Sequence, residues 1–290
     1  MSKFVLITQT VINGILIGSI YSLIAVGFTL IFGVIKVVNF AHGELVMLGM
    51  YAAVSVFVLL GLNPYVGLLM IIPVFFVAGY LMQRYLIENI LDASEDMQII
   101  LTFGLMIVLG NLALFLFGAD LKGVRVEFLM KIVNLFGNRI LVAMLIAFGT
   151  SVVSILALYL VIKKTDLGKA IRACADERDG ARLVGINVRR IYGVTLGISS
   201  ACAAIAGMTL VTFYAATPDR GMNFVTIAIV VTVLGGMGSF IGALIGGLLV
   251  GLTESVGQLF LSASLSVSLS YAIVILIMFF RPSGLFGRKA

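Results

Sequence analysis

Eight apolar runs separated by short polar stretches make up most of this chain. They lie at about Phe4 to Ile35, Leu45 to Leu60, Tyr65 to Met82, Met97 to Gly118, Ile140 to Ile162, Ile191 to Ala216, Phe224 to Leu261 and Leu265 to Phe280. Crossing about 30 Å of hydrocarbon takes about 20 helical residues, and a helix satisfies its own backbone in lipid. The pattern therefore predicts an all-α polytopic membrane protein of about eight spans. The first and seventh runs are too long for one plain crossing. Polar residues near 36–44 mark a break after the first, and Gly235, Gly236 and Gly238 interrupt the seventh near 235–239. Unwound backbone is tolerated at membrane depth where it lines a cavity or is buried in protein, so two broken or re-entrant helices point to transport. Alternating serines from Ser262 to Ser270 read as an outside loop entering the last helix.

Composition agrees: 61% of residues are hydrophobic and mean hydropathy is +1.21, which excludes a soluble core. The net charge of +6 gathers at the ends of apolar runs, as loop charges do, and does not indicate nucleic acid. Two cysteines, Cys174 and Cys202, give no disulfide framework. The segment Lys163 to Arg190 holds 12 of the 32 charged residues, eight of them basic. Placing it in the cytoplasm puts Arg84 to Asp96, Lys3 and the tail with Arg281, Arg288 and Lys289 inside as well. Ala119 to Arg139 and Pro218 to Gly221 then fall outside. With Lys3 inside, the chain from Phe4 to Leu60 must cross, dip back partway and leave again, reversing near Lys36 to Glu44.

Within the charged segment, Asp176 and Asp179 form a weak capping box and Gly185 stands where a helix would end in a left-handed turn. A short helix over about Glu177 to Val184 is predicted, fed by another from about Leu167 to Ala175 with Asp166 as N-cap. Its apolar residues Ala181, Leu183 and Val184 crowd toward the C-terminal end, while Glu177, Arg178, Asp179 and Arg182 stay polar. That composition suits docking onto another protein better than burying a core. Gly180 weakens the helix by up to about 1 kcal/mol.

A few polar residues interrupt the apolar field. Asn39, the lone histidine His42, Gly43 and Glu44 sit in VVNFAHGEL, and Glu254 sits in GLLVGLTESVGQ. Intramembrane ionisable groups are costly and are functional-site candidates by default. Asn39, His42 and Glu44 either cap the two ends of a helix break or line a substrate path, and Glu254 either glues helices together or gates that path. A single histidine without companions at ligand spacing makes a metal site improbable, and no catalytic constellation accompanies it. Gly14 with Gly18, Gly242 with Gly246 and Gly247 with Gly251 are spaced for close helix approach. The chain holds no GxxxxGK[ST] loop, so ATP, if used, is bound by a partner.

The segment FTLIFGVIKVVNFAHGELVMLGMY, Phe28 to Tyr51, resembles the signature of LivH-type permeases, the inner-membrane subunits of branched-chain amino acid ABC importers. Thr165 to Val188 is similar to that family's coupling segment, VLGGMG at Val233 to Gly238 to its late broken helix, and RPSGLFG at Arg281 to Gly287 to its C-terminal end. The resemblance implies a multi-pass permease in the bacterial inner membrane, a single transmembrane domain over 1–290 that is not itself an enzyme. It further implies a second, LivM-type permease, two cytoplasmic ATPase subunits, a soluble substrate-binding protein, and no cofactor on this chain. By that resemblance Asp176, Glu177, Arg178, Asp179, Ala181, Arg182, Leu183 and Gly185 belong to the element that docks the ATPase. The resemblance leaves as an alternative an ABC permease for another small polar solute, such as urea, an amide or another amino acid. A proton-coupled secondary transporter using His42, Glu44 and Glu254 is the reading from a different class.

Overall fold

The computed structural model describes residues 3–135 and 137–287. Arg288 and Lys289 lie outside the described residues. Among these residues the helices are α1 (Lys3–Ile35), α2 (His42–Leu60), α3 (Pro64–Tyr85), α4 (Glu95–Phe117), α5 (Val142–Lys164), α6 (Asp166–Asp176), α7 (Arg178–Leu183), α8 (Val188–Leu210), α9 (Arg220–Gly235), α10 (Phe240–Gly257) and α11 (Ala263–Phe280). An antiparallel hairpin, β1 (Ile132–Leu135) and β2 (Asn138–Leu141), precedes α5. Seven helices, α1 to α5, α8 and α10, are long and apolar enough to cross a membrane, and α9 and α11 are shorter apolar helices. The fold is that of an all-α polytopic membrane protein.

Two helices form the centre. The most apolar stretch of α1 is 83% buried and that of α8 is 89% buried, against 17% for α4 and 22% for α3 and α5. Small residues allow this. Backbone at Gly14 and Gly18 of α1 meets Leu252, Gly251, Leu248 and Gly247 of α10, closer than any side chain at the two α1 glycines would permit. Outward residues of the peripheral helices, such as Leu69, Phe115 and Val153, are apolar and exposed, as a lipid-facing surface requires.

Spans alternate between two faces. One carries α6 and α7. The other carries the hairpin and the α8–α9 loop, where Lys122 and Ala216 exchange backbone hydrogen bonds of 3.1 and 2.7 Å. The start of α1 lies on this hairpin face: Gln9 donates to the Arg139 carbonyl at 2.8 Å and accepts from its N–H at 2.7 Å, and the Thr8 hydroxyl donates to Asn138 at 3.0 Å. The structure therefore places the Lys3 end with the Ala119–Arg139 loop and opposite α6 and α7, where charge parity predicted the reverse. The first apolar run is one unbroken helix of 33 residues. Paired amides outweigh the topological weight of one lysine.

Both predicted breaks exist, at different depths. Lys36 closes α1 in the left-handed region at φ 64°, its N–H bonded to the Phe32 carbonyl. The chain turns back so that the Val38 carbonyl accepts from Thr102 of α4, and His42, the first residue of α2, reaches Ile24 of α1. Ile24 lies eleven residues before the end of α1, so α2 begins about 16 Å inside the layer. The second break divides the seventh run into α9 and α10 through Gly236 and Gly238, both at positive φ. It sits level with Gly33 in the last turn of α1, and residues 285 and 286 donate to the Leu234 and Gly235 carbonyls at 2.9 and 3.0 Å. This break is a turn at the α6–α7 face. Of the serines expected in an outside loop, those from Ser264 to Ser270 belong instead to α11, where Ser266 and Ser270 are buried and bond back to carbonyls four residues earlier, and Ser262 immediately precedes the helix.

Candidate functional site

His42 stands between α1 and α8. Its Nε2 lies 3.0 Å from the Ile24 carbonyl, which can only accept, so Nε2 carries the proton. In the neutral ring Nδ1 then accepts from the Ser199 hydroxyl at 3.4 Å. The ring meets Phe28 edge-on with centroids 5.7 Å apart, and the missing side chain at Gly27 leaves it room. Asn39, wholly buried, accepts from the Ala41 N–H at 3.1 Å in a local turn, and its Nδ2 has no hydrogen-bond partner among the described residues. His42 is thus a brace across two central helices, while Asn39 shapes the turn and does not cap α2.

Gly43 brings α2 against the first turn of α9, where a β-carbon would fall 2.1 Å from the Gly221 carbonyl. The next residue, Glu44, is 4% exposed and its Oε2 has no hydrogen-bond partner among the described residues. The carboxylate lies in the first turn of α2 and against Gly221 in the first turn of α9, two positions where exposed N–H groups favour negative charge. It also borders a cavity of about 410 Å³, lined with Gly110 and Asn111 of α4 and with Pro218 and Asp219 of the α8–α9 loop.

Glu254 borders a second, larger cavity, about 620 Å³, between α1, α8, α9, α10 and α11. Its Oε2 accepts from the Tyr21 hydroxyl at 3.0 Å, a partner from a neighbouring helix for a partly buried carboxylate. Arg220 lines the same cavity at the hairpin face; its guanidinium bonds the Tyr214 hydroxyl and lies 4.1 Å over the Tyr214 ring. Toward the opposite face α9 and α10 converge, with Gly235 and Gly242 in backbone contact.

On the α6–α7 face two caps differ from expectation. Thr165, extended at the end of α5, caps α6 by accepting from the Gly168 N–H at 3.1 Å, while Asp166 enters the first turn and pairs with Lys169 at 2.9 Å. Glu177 caps α7, accepting from the Asp179 N–H at 3.4 Å; Asp176 is the last residue of α6. A one-residue extended joint at Glu177 separates the two helices, so the carboxylate at the joint reaches the new helix first. Ala181 is buried, Gly185 turns left-handed at φ 86°, and Leu183 and Val184 are 88% and 75% exposed. Arg178 bonds Asp92 at 2.7 Å and Arg189 bonds Glu88 at 2.9 Å, tying the segment to the connection after α3. Asp179 and Arg182 pair within α7 at 3.2 Å.

The structure thus gathers Asn39, His42, Gly43 and Glu44 at one crossing of α1, α2, α8 and α9, sets Glu254 in a separate cavity, and leaves Gly235, Gly236 and Gly238 at the far face. Sequence reasoning missed Tyr21, Ser199 and Arg220. Arg220 did carry a signal, as a lone cation opening an apolar run six residues after a tyrosine.

The chain is 30% identical to the high-affinity branched-chain amino acid transport system permease protein LivH of Escherichia coli, over 99% of this chain and 97% of the relative. It is 32% identical to the corresponding protein BraD of Pseudomonas aeruginosa, over 97% and 95%. Its fold is shared with PsaBC from Streptococcus pneumoniae, solved in complex with Fab, at a TM-score of 0.51 and 18% identity over 93% of this chain and 90% of that one. The family model described as the branched-chain amino acid transport system permease component matches residues 10–280, and the chain belongs to that family of permeases.

Proposed function

We propose that this chain is the membrane-spanning permease subunit of an ATP-binding-cassette importer that carries branched-chain amino acids across the inner membrane by alternating access. Besides family membership, the observation that carries the reading is α7: a six-residue helix on the face opposite the hairpin that ends in two exposed apolar residues. A helix this short cannot bury a core, and such a patch on an anchored polar segment suits a protein partner. The partners in this reading are two cytoplasmic ATPase subunits, which bind the ATP, a second permease of the LivM type, and a soluble binding protein that delivers substrate at the hairpin face.

Coupling follows from connectivity. α7 joins α5 through α6, and joins α8 through Asn187, whose side chain caps α8 by accepting from the Arg190 N–H at 3.0 Å. Arg172 of α6 donates to the Ile162 carbonyl in α5, tightening the first of these joints. A displacement of α7 as the ATPase pair closes is therefore delivered to a peripheral helix and to the most buried one. The test is purification in mild detergent followed by ATPase assay. Co-purification of an ATPase pair and a second permease, with hydrolysis stimulated by leucine-loaded binding protein, is expected. A chain that purifies alone and drives uptake in vesicles with an ion gradient only would remove the reading.

A further inference from the structure

The larger cavity presents a positive and a negative side chain that do not pair with each other. Among the described residues every ion pair involves other groups, so Arg220 and Glu254 line one space with neither charge neutralised by the other. Each is held by a tyrosine instead: Tyr21 donates to Glu254, and Tyr214 lies under and beside the Arg220 guanidinium. The buried Nε of Arg220 has no hydrogen-bond partner among the described residues. The lining also carries an apolar set, Ile17, Leu210, Phe224, Ile227 and Val250, beside polar Asn223, Gln258 and Ser270. At about 620 Å³ the space falls within the ~300–1,000 Å³ range of small-molecule sites.

Partly buried, separated opposite charges beside apolar lining are satisfied together by a ligand that carries both charges and an apolar side chain. We infer that this cavity binds the amino-acid zwitterion itself, with the ammonium on Glu254, the carboxylate on Arg220 and an aliphatic side chain against the α1–α8–α9 wall. The inference rests on the importer reading and deepens it: it places a substrate site within this chain and makes Arg220 and Glu254 selective for α-amino acids over singly charged or neutral solutes. Charge-assisted bonds of this kind reject analogues that leave one partner bare.

The test is equilibrium binding of radiolabelled L-leucine to the full chain in nanodiscs, with isocaproate (no ammonium) and isoamylamine (no carboxylate) as competitors. Saturable leucine binding is expected, with both analogues at least about tenfold weaker. Glu254→Gln should weaken leucine at least about tenfold and bring it level with isocaproate; Arg220→Gln should bring it level with isoamylamine. Glu254→Asp and Arg220→Lys, which keep the charges, should retain discrimination. The wild-type competition decides even if a variant fails to fold. No saturable binding, an analogue as good as leucine, or unchanged binding in both glutamine variants overturns the site. Cellular uptake separates the two levels of argument. Chain-dependent leucine uptake that both glutamine variants sustain removes this site and leaves the importer reading standing, whereas no chain-dependent leucine uptake removes the importer reading and the site with it.

Discussion

The side chain of His42, at the start of α2, spans from the Ile24 carbonyl of α1 at 3.0 Å to the Ser199 hydroxyl of α8 at 3.4 Å. The only histidine in the chain is therefore spent on holding the two central helices against a re-entrant one. His42→Ala should lose both bonds and leave a void beside Phe28, costing about 3 kcal/mol, while membrane insertion persists. Ser199→Ala should cost about 1 kcal/mol. Thermal midpoints of detergent-solubilised chain read both. A His42→Ala protein as stable as wild type would show that the ring braces nothing.

Glu44 and Gly221 make a second pair that one substitution should expose. A β-carbon at Gly221 would fall 2.1 Å from Oε1 of Glu44, and the three nearest atoms all belong to that side chain. Gly221→Ala is expected to destabilise by about 1–3 kcal/mol through crowding at this buried site. Adding Glu44→Ala should recover at least about 1 kcal/mol beyond the sum of the single effects. Additive behaviour in the cycle would mean that the crowding is relieved elsewhere.

Lys36 ends α1 at φ 64°, where an L side chain carries a penalty that glycine avoids. Lys36→Gly should therefore raise stability by about 1 kcal/mol, and Lys36→Val should lower it by more than that. Thermal or denaturant midpoints measured side by side give the sign. A drop in the glycine variant would assign the lysine ammonium a role that outweighs backbone strain.

Leu183, 88% exposed at the end of α7, should tolerate polarity as far as folding is concerned. Leu183→Asp is expected to leave expression and thermal midpoint within about 0.5 kcal/mol of wild type. In the assembled transporter it should cut uptake at least about tenfold while ATP hydrolysis persists, and reversing the charge of Arg182 should do the same. Unaltered uptake in both variants would remove α7 as the lever.

The sequence by itself determined the membrane class, the positions of the spans and the two breaks. Twenty-residue apolar periodicity, glycine clusters and interrupting polar residues are local properties, and the bilayer reads them locally. It also marked the charged segment 163–190 as the chain's principal excursion into water and brought out Glu44 and Glu254, since a carboxylate in an apolar run stands out in any order of helices. Tertiary structure alone decided the side on which α1 begins: the Gln9 amide, through two bonds, and the Thr8 hydroxyl near its start pair with residues about 130 positions away, and no charge count along the chain contains that pairing. The caps at Thr165 and Glu177 turned on a joint one residue long, finer than periodicity resolves. Depth was equally hidden. Lys36 and Gly236 both break helices, yet one break opens into the layer and the other closes at its face, because His42 at the start of α2 reaches the Ile24 carbonyl in the middle of α1 while residues 285–286 cover the end of α9. Arg220 and Tyr214 are six residues apart and their pairing is local, whereas Tyr21 and Glu254 are 233 residues apart, and the two pairs come to line one cavity only when five helices are packed around it.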